Sequence, residues 1–282
     1  MSIMRRIYII IGIGLCALTA SAQKQLTILH TNDTHSTIYP LSPNLADTAL
    51  ADRGGFIRRI SYLKEERQKD PDLLLFDSGD FCQGSPYFTL YKGDVEVGLM
   101  NRMGYDAGAI GNHEFDFGLE NMARLFRMAN FPILCSNYDF TGTPVEGLTK
   151  DYIILKRKGV RIGVFGLSPK MEGLVMGDNC RGVVYKSPVE EARRVVEILK
   201  KKKCDMIICI SHLGWELPLN DADDVRLVSQ TRGIDLVLGG HSHTYFDALR
   251  YVKNLDGKEI PVDQNGKHAL YVGKMTVDLQ KK

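Results

Sequence analysis

The chain has 282 residues, with 36 Lys and Arg against 34 Asp and Glu and a formal net charge of +2. Hydrophobic residues make up 44% of it, enough for one large core, and the near balance of charge excludes nucleic-acid binding through bulk positive potential. At the N-terminus, Arg5 and Arg6 precede an apolar stretch from Ile7 to Leu18 and then Ala20-Ser21-Ala22. That order matches the charged, apolar and cleavage regions of a secretory signal peptide. The apolar stretch is well short of the ~20 residues that span a membrane. Cleavage after Ala22 and export to the periplasm or exterior are therefore expected, without stable membrane insertion; an uncleaved anchor is the alternative. Leu15 before Cys16 is too large for the small residue of a lipoprotein site. Residues 23–282 then form a single domain. Without Arg5 and Arg6 it carries 34 basic and 34 acidic residues.

Along that domain, apolar runs alternate with amphipathic stretches. Strand-like runs are Leu26–Leu29, Leu73–Phe76, Ala107–Ile110, Ile133–Leu134, Tyr152–Leu155, Val160–Phe165, Met206–Ile210 and Leu236–Leu238. Helix-like stretches are Phe56–Arg67, Val95–Met103, Asn121–Met128, Pro188–Lys202 and Asp223–Thr231. The fourth puts Val189, Ala192, Val195, Val196 and Leu199 on one face, with Pro188 in its first turn. Continuous apolar strands between helices predict an α/β sandwich covered on both faces. After Asp247 the turns "LDGK" and "QNGK" predict a meander or hairpin. Cys82, Cys135, Cys180, Cys204 and Cys209 are odd in number and contain no CxxC, so they read as buried thiols. Thr34 to Arg53 is a long irregular segment.

Five of the apolar runs end in the same chemistry. They run into "HTNDTH" (Asp33, His35), "DSGD" (Asp77, Asp80), "GNHEFD" (Asn112, His113, Glu114, Asp116), "SHLGWE" (His212) and "GGHSH" (His241, His243). In open α/β sheets, the C-terminal strand ends line one rim, where binding crevices form. Five of the seven histidines lie there. Singly, each motif has an ordinary reading: a helix cap, a turn or a core imidazole. Together they form a set of imidazole, carboxylate and amide donors without cysteine, suited to Mn, Zn, Fe, Co or Mg rather than to a thiolate zinc site.

The order Asp-x-His, Gly-Asp, Gly-Asn-His-Glu, His, Gly-His-x-His resembles that of the calcineurin-like metallophosphoesterases. More narrowly, "TNDTH", "GDFCQGSP", "MGYDAGAIGNHEFDFG" and "GGHSH" resemble the catalytic domain of the 5'-nucleotidase / UDP-sugar hydrolase family from about Leu26 to Leu279. This resemblance implies a single-domain, four-layer αββα sandwich with two divalent metal ions at the strand ends. It implies one ion held by Asp33, His35, Asp80 and His243, and a second held by Asp80, Asn112, His212 and His241. A carboxylate shared in that way can keep two ions ~3.5–4 Å apart for in-line attack on phosphorus. It further implies that His113 stabilises the transition state and protonates the leaving group, with Asp116 holding its imidazole. Glu114 reads equally as a backbone anchor, and Phe115 and Phe117 as packing beneath the loop.

The expected function is an exported, metal-dependent phosphoesterase acting on small phosphate esters, nucleotides foremost. UDP-sugar hydrolysis and 2',3'-cyclic-nucleotide phosphodiesterase activity are the alternatives in its class, and a non-catalytic metal-binding module is the alternative outside it. No nucleic-acid partner is expected. Family members specific for nucleotides carry a second, C-terminal domain that binds the base. No such domain reads from the 282 residues, so the expectation is that a separately encoded partner supplies it or that the domain acts alone.

Overall fold

Residues 24–217 and 222–279 are described by a computed structural model; the signal-peptide reading of residues 1–22 lies outside them. The first half of the chain runs β1 (Lys24–Thr31), α1 (Phe56–Lys69), β2 (Leu74–Asp77), α2 (Pro86–Tyr91), α3 (Asp94–Met103), β3 (Ala107–Ala109), α4 (Gly118–Met128), β4 (Ile133–Leu134), β5 (Tyr138–Asp139) and β6 (Thr149–Lys150). The second continues with β7 (Tyr152–Arg157), β8 (Val160–Leu167), β9 (Val184–Tyr185), α5 (Pro188–Lys201), β10 (Met206–Ser211), α6 (Asp224–Ser229), β11 (Leu236–Leu238), β12 (Arg250–Lys253), β13 (Glu259–Asp263) and β14 (Gly273–Leu279).

Two six-stranded sheets result, ordered β14-β1-β2-β3-β4-β6 and β12-β13-β11-β10-β8-β7, with β5 and β9 forming a small separate pair. Each large sheet is parallel inside, and β14, β12 and β7 join antiparallel at the edges. Alternation along the strands builds the layers. Leu26, Ile28, Leu74 and Phe76 of the first sheet meet Ile162, Val164, Ile208 and Ile210 of the second in one buried cluster. The intervening Leu29, Leu73 and Leu75 face helices α1, α3 and α4 through Leu63, Val97, Met100 and Met122. On the far side, Ile207 and Cys209 pack against Val195 and Leu199 of α5 and Leu227 and Val228 of α6. The order is helix, sheet, sheet, helix: the four-layer αββα sandwich that the family resemblance implies.

Local chemistry fixes the helix starts. Ser187 caps α5 by accepting from the Glu190 N–H, with Pro188 just inside. The same device starts α2, where Ser85 accepts from the Tyr87 N–H ahead of Pro86; at six residues this helix is too short to show a period in the sequence. The "LDGK" turn does join a hairpin, β12 to β13. "QNGK" does not: after it the chain leaves the second sheet, and β14 pairs with β1 of the first, from Lys24↔Leu279 to His30↔Gly273. The buried-thiol reading holds for Cys82, Cys135 and Cys209, whereas Cys180 and Cys204 are half-buried; all five are free. Among the described residues, no helix is long and apolar enough to cross a membrane.

The sheets approach closely at Gly166 of β8. Its carbonyl accepts from the Ser136 N–H at 2.8 Å, and a Cβ on Gly166 would stand 2.2 Å from the Leu134 carbonyl oxygen of β4. Backbone cannot yield there as a flexible side chain would. Gly166→Ala should therefore cost at least the ~1–3 kcal/mol typical of overpacking, read as a lower midpoint of denaturant unfolding. An unchanged midpoint would contradict this backbone-to-backbone contact.

Candidate metal centre

The loops after β1 and β2 run side by side at the rim. The N–H groups of Asp33, His35 and Ser36 donate to the carbonyls of Gly79, Asp80 and Phe81 at 3.0, 3.0 and 3.1 Å. Asp33, His35, Asp80, His241 and His243 all have left-handed backbones, with φ of 46°, 43°, 55°, 74° and 56°. Non-glycine residues rarely adopt that region, and such outliers concentrate at functional sites. Here they turn short loops sharply enough to aim several side chains at one point. Asp33, His35, Asp80 and His243 offer ligand atoms all within 4.8 Å of one another, as do Asp80, His212 and His241. Asp80 belongs to both groups.

Neighbouring groups fix each donor. The Asp33 carboxylate accepts from the His241 N–H at 2.9 and 3.1 Å and from Asn32 Nδ2 at 2.7 Å. Asp80 Oδ1 accepts from the His113 N–H at 2.9 Å. His212 Nδ1 donates to the Ser78 carbonyl at 2.6 Å, which turns Nε2 toward the cluster, as a metal-ligating imidazole requires. That Nε2 stands 3.1 Å from Asp80 Oδ2 but without hydrogen-bond geometry to any acceptor. Burial lowers the His212 pKa, yet the charges of Asp80 and Asp33 outweigh it and push it up to about 10. Burial pushes His35 and His241 down to about 4, leaving both as neutral imidazoles. His35 Nε2 and His243 Nε2 face each other at 2.9 Å.

Asn112 follows β3 with its Oδ1 buried and without a partner. Buried polar atoms are nearly always satisfied, so the unpartnered Asn112 Oδ1 and His212 Nε2, which follow β3 and β10, fit a place that takes a cation. The two clusters are able to hold two divalent ions. Their donors are nitrogen and oxygen, with no thiolate in either group.

The "GNHEFDFG" loop divides its labour. Asp116 accepts from His113 Nδ1 at 3.1 and 3.2 Å, the pairing that the family resemblance implies. Burial lowers the His113 pKa, but the Asp116 hydrogen bond and the charge of Asp80 more than offset it, so the imidazole protonates more readily than usual. Glu114 is a backbone anchor: its carboxylate accepts from the N–H groups of Gly111, Asp80 and Cys82 at 2.6, 3.0 and 3.2 Å. Phe115 is fully buried, as expected, but Phe117 is 39% exposed, which corrects its placement beneath the loop. One rim residue escaped the sequence reading altogether. His268 sits in the chain's crossing between sheets, its ring 5.8 Å from that of His35 and its N–H bonded to the Asp33 carbonyl at 2.8 Å. Only the histidine count could have flagged it.

The description "calcineurin-like phosphoesterase" belongs to the family model that matches residues 26–245. The 5'-nucleotidase of Bos taurus is 34% identical over 90% of this chain and 44% of its own length. Among solved structures, a 5'-nucleotidase precursor from Thermus thermophilus superposes with a TM-score of 0.82 at 30% identity, covering 91% of this chain and 52% of that one. The calcineurin-like phosphoesterase YfkN from Bacillus subtilis gives 0.75 at 27% identity, covering 92% and 86%. The chain spans about half the length of the curated relatives it matches.

Replacing Glu114 by glutamine keeps the shape but turns one of two acceptor oxygens into a donor facing N–H groups. A buried donor left unsatisfied costs ~1–3 kcal/mol. Glu114→Gln should lower the thermal midpoint accordingly and loosen metal retention. A variant as stable as the parent would show that the three N–H groups do not depend on this carboxylate.

Proposed function

The chain belongs to the calcineurin-like phosphoesterase family, and on that premise we propose that it is an exported, dinuclear metal-dependent phosphoesterase acting on nucleotides and related phosphate esters. The observation that carries this reading is the place of Asp80 in both ligand groups. Asp33, His35, Asp80 and His243 would hold one ion, and Asp80, Asn112, His212 and His241 the other. Bound there, the ions supply an acidified water and a charge clamp on the phosphoryl oxygens.

The chain's own residues do the rest. His113 follows Asn112 directly, and its ring lies 5.3 Å from that of His35, within reach of an ester held at the rim. Protonated, it stabilises charge on phosphoryl oxygen and passes a proton to the departing alcohol. Asp116 holds Nδ1 and so directs Nε2 outward. Export rests on the N-terminal pattern of Arg5, Arg6, Ile7 to Leu18 and Ala20-Ser21-Ala22, and cleavage would leave residues 23–282 as the working domain.

Phosphate release from nitrophenyl phosphate and AMP by the purified chain, with Mn²⁺ and then with chelator, tests the reaction. Activity that needs the metal supports it, and no release from either ester under any divalent ion overturns it. Two variants should separate the roles. Asp80→Ala should lose more bound metal than any other single ligand change, because only Asp80 serves both ions; two ions per chain retained by elemental analysis would sink the bridging role. His113→Ala should retain its metal and lose about 10²–10⁴-fold in kcat for AMP, with a smaller loss for nitrophenyl phosphate, whose leaving group needs no proton. Equal losses on both esters would remove the proton-donor assignment.

A further inference from the structure

Two of the seven histidines lie outside the five strand-end motifs, His30 and His268. His30 is fully buried, and both of its ring nitrogens are bonded, to the Gly239 carbonyl and to Asn265. His268 is half-buried, and among the described residues neither of its ring nitrogens meets a hydrogen-bond partner. Its ring stands 5.8 Å from that of His35, which is 4.9 Å from that of His243 and 5.3 Å from that of His113. His268 therefore borders the first ligand group on the ring of His35, yet it supplies no atom to either group. The backbone beneath it is unusual. His268 and Ala269 are consecutive non-glycine residues with left-handed φ of 59° and 54°, a conformation that side chains disfavour and that concentrates at functional sites. Two loops clamp this turn. The His268 N–H donates to the Asp33 carbonyl at 2.8 Å, and Asn32 Nδ2 donates to the Gly266 carbonyl at 2.8 Å. Gly54 closes in as well: a Cβ there would stand 3.0 Å from the Ala269 carbonyl oxygen and 3.1 Å from that of His268. The His268 backbone is thereby tied to Asp33, itself a member of the first group, which keeps the ring beside that group.

We propose that His268 is a substrate-binding residue: its ring N–H donates to a phosphoryl oxygen of an ester held at the first ligand group. The proposal rests on the phosphoesterase reading of that site. An imidazole can place its N–H on either nitrogen, and a donor that meets an anionic oxygen makes a stronger bond than one that meets a neutral acceptor. The contact is with the part of the substrate that all phosphate esters share. A cavity of about 420 Å³ beside the His113–Asp116 pair, lined by Gln83, Ser85, Phe88 and Phe117 among others, takes no wall from His268. His268 therefore acts on the phosphoryl group whatever the ester carries, whereas His113 acts on the bond to the leaving group. A monoester brings three terminal oxygens and a diester two, so one further donor favours monoesters.

Binding and kinetics on the purified, metal-loaded chain test it, and side-chain substitutions at His268 leave its backbone bond to Asp33 in place. In calorimetric titrations with inorganic phosphate, His268→Ala should bind roughly 10- to 150-fold more weakly, the span of one hydrogen bond to a charged group. Its metal content by elemental analysis should stay that of the parent. His268→Gln, whose amide can offer an N–H in place of Nε2, should recover part of the loss. In kinetics, kcat/KM of His268→Ala should fall by the same factor for AMP and for nitrophenyl phosphate, and by less for the diester bis(nitrophenyl) phosphate. Phosphate affinity equal in parent and His268→Ala overturns the contact even if esters are hydrolysed, and so does a weakening that comes only with lost metal. Phosphate binding that depends on His268, in a chain that releases phosphate from no ester, supports the contact and removes the phosphoesterase reading instead.

Discussion

The site is split between two sheets, so every feature of it depends on how those sheets are held face to face. Asp33, Asp80 and Asn112 follow β1, β2 and β3 of one sheet, whereas His212 and His241 follow β10 and β11 of the other. Beneath the rim, Phe76 and Leu74 meet Ile208, Ile210 and Leu238 in a buried apolar layer, and at the packing density of such interiors even one methylene is felt. At the rim, polar links cross the same gap. Ser78 Oγ donates to the Leu238 carbonyl at 2.8 Å, and His212 Nδ1 returns a bond to the Ser78 carbonyl at 2.6 Å. His30 Nε2 donates to the Gly239 carbonyl at 3.2 Å, while its Nδ1 accepts from Asn265 Nδ2 at 2.8 Å. His30 is thus a pin between the sheets rather than a ligand, and it fixes the height at which the "GGHSH" loop faces Asp33.

On that rigid base the loops can hold conformations they would not adopt alone. A left-handed non-glycine residue costs ~1–2 kcal/mol, and five of the six residues that form the two ligand groups carry it. The cost is offset by backbone bonds between the loops and by the layers below, which hold the ligand atoms together. Gly111 shows how little room is left: a Cβ there would lie 2.1 Å from Asp80 Oδ1. Its N–H is one of the three that Glu114 holds.

The chemistry of the rim was legible because it is local: five apolar runs each hand over to Asp, Asn or His, and strand direction alone sends those ends to one side. Helix α5 was legible for the same reason, since Ala192, Val195, Val196 and Leu199 repeat at helical spacing and are all buried. What stayed hidden depends on distant partners. Glu114 and Asp116 are chemically alike; only the fold aims three N–H groups at one and an imidazole at the other. Phe115 and Phe117 look equivalent too. A 3₁₀ turn over His113–Phe115, with about three residues per turn, swings the second to the opposite side. "QNGK" has hairpin composition, yet Asn265 is claimed by Asn32 and His30 of the other sheet, so the chain crosses over instead of turning back.

Two loops each reach both the ligand groups and the neighbouring cavity, and one carboxylate ties them together. The loop after β2 gives Asp80 to both ligand groups and, three residues later, Gln83 to the neighbouring cavity. The loop after β3 gives Asn112 and His113 to the rim and Phe117 to that same cavity. Glu114 joins the two by accepting from Gly111 on one and from Asp80 and Cys82 on the other. A shift in either loop therefore moves the ligand groups and the cavity wall together. Differential binding raises turnover only when remote contacts and the reacting centre are rigidly related, and a buried carboxylate with three N–H donors provides that relation.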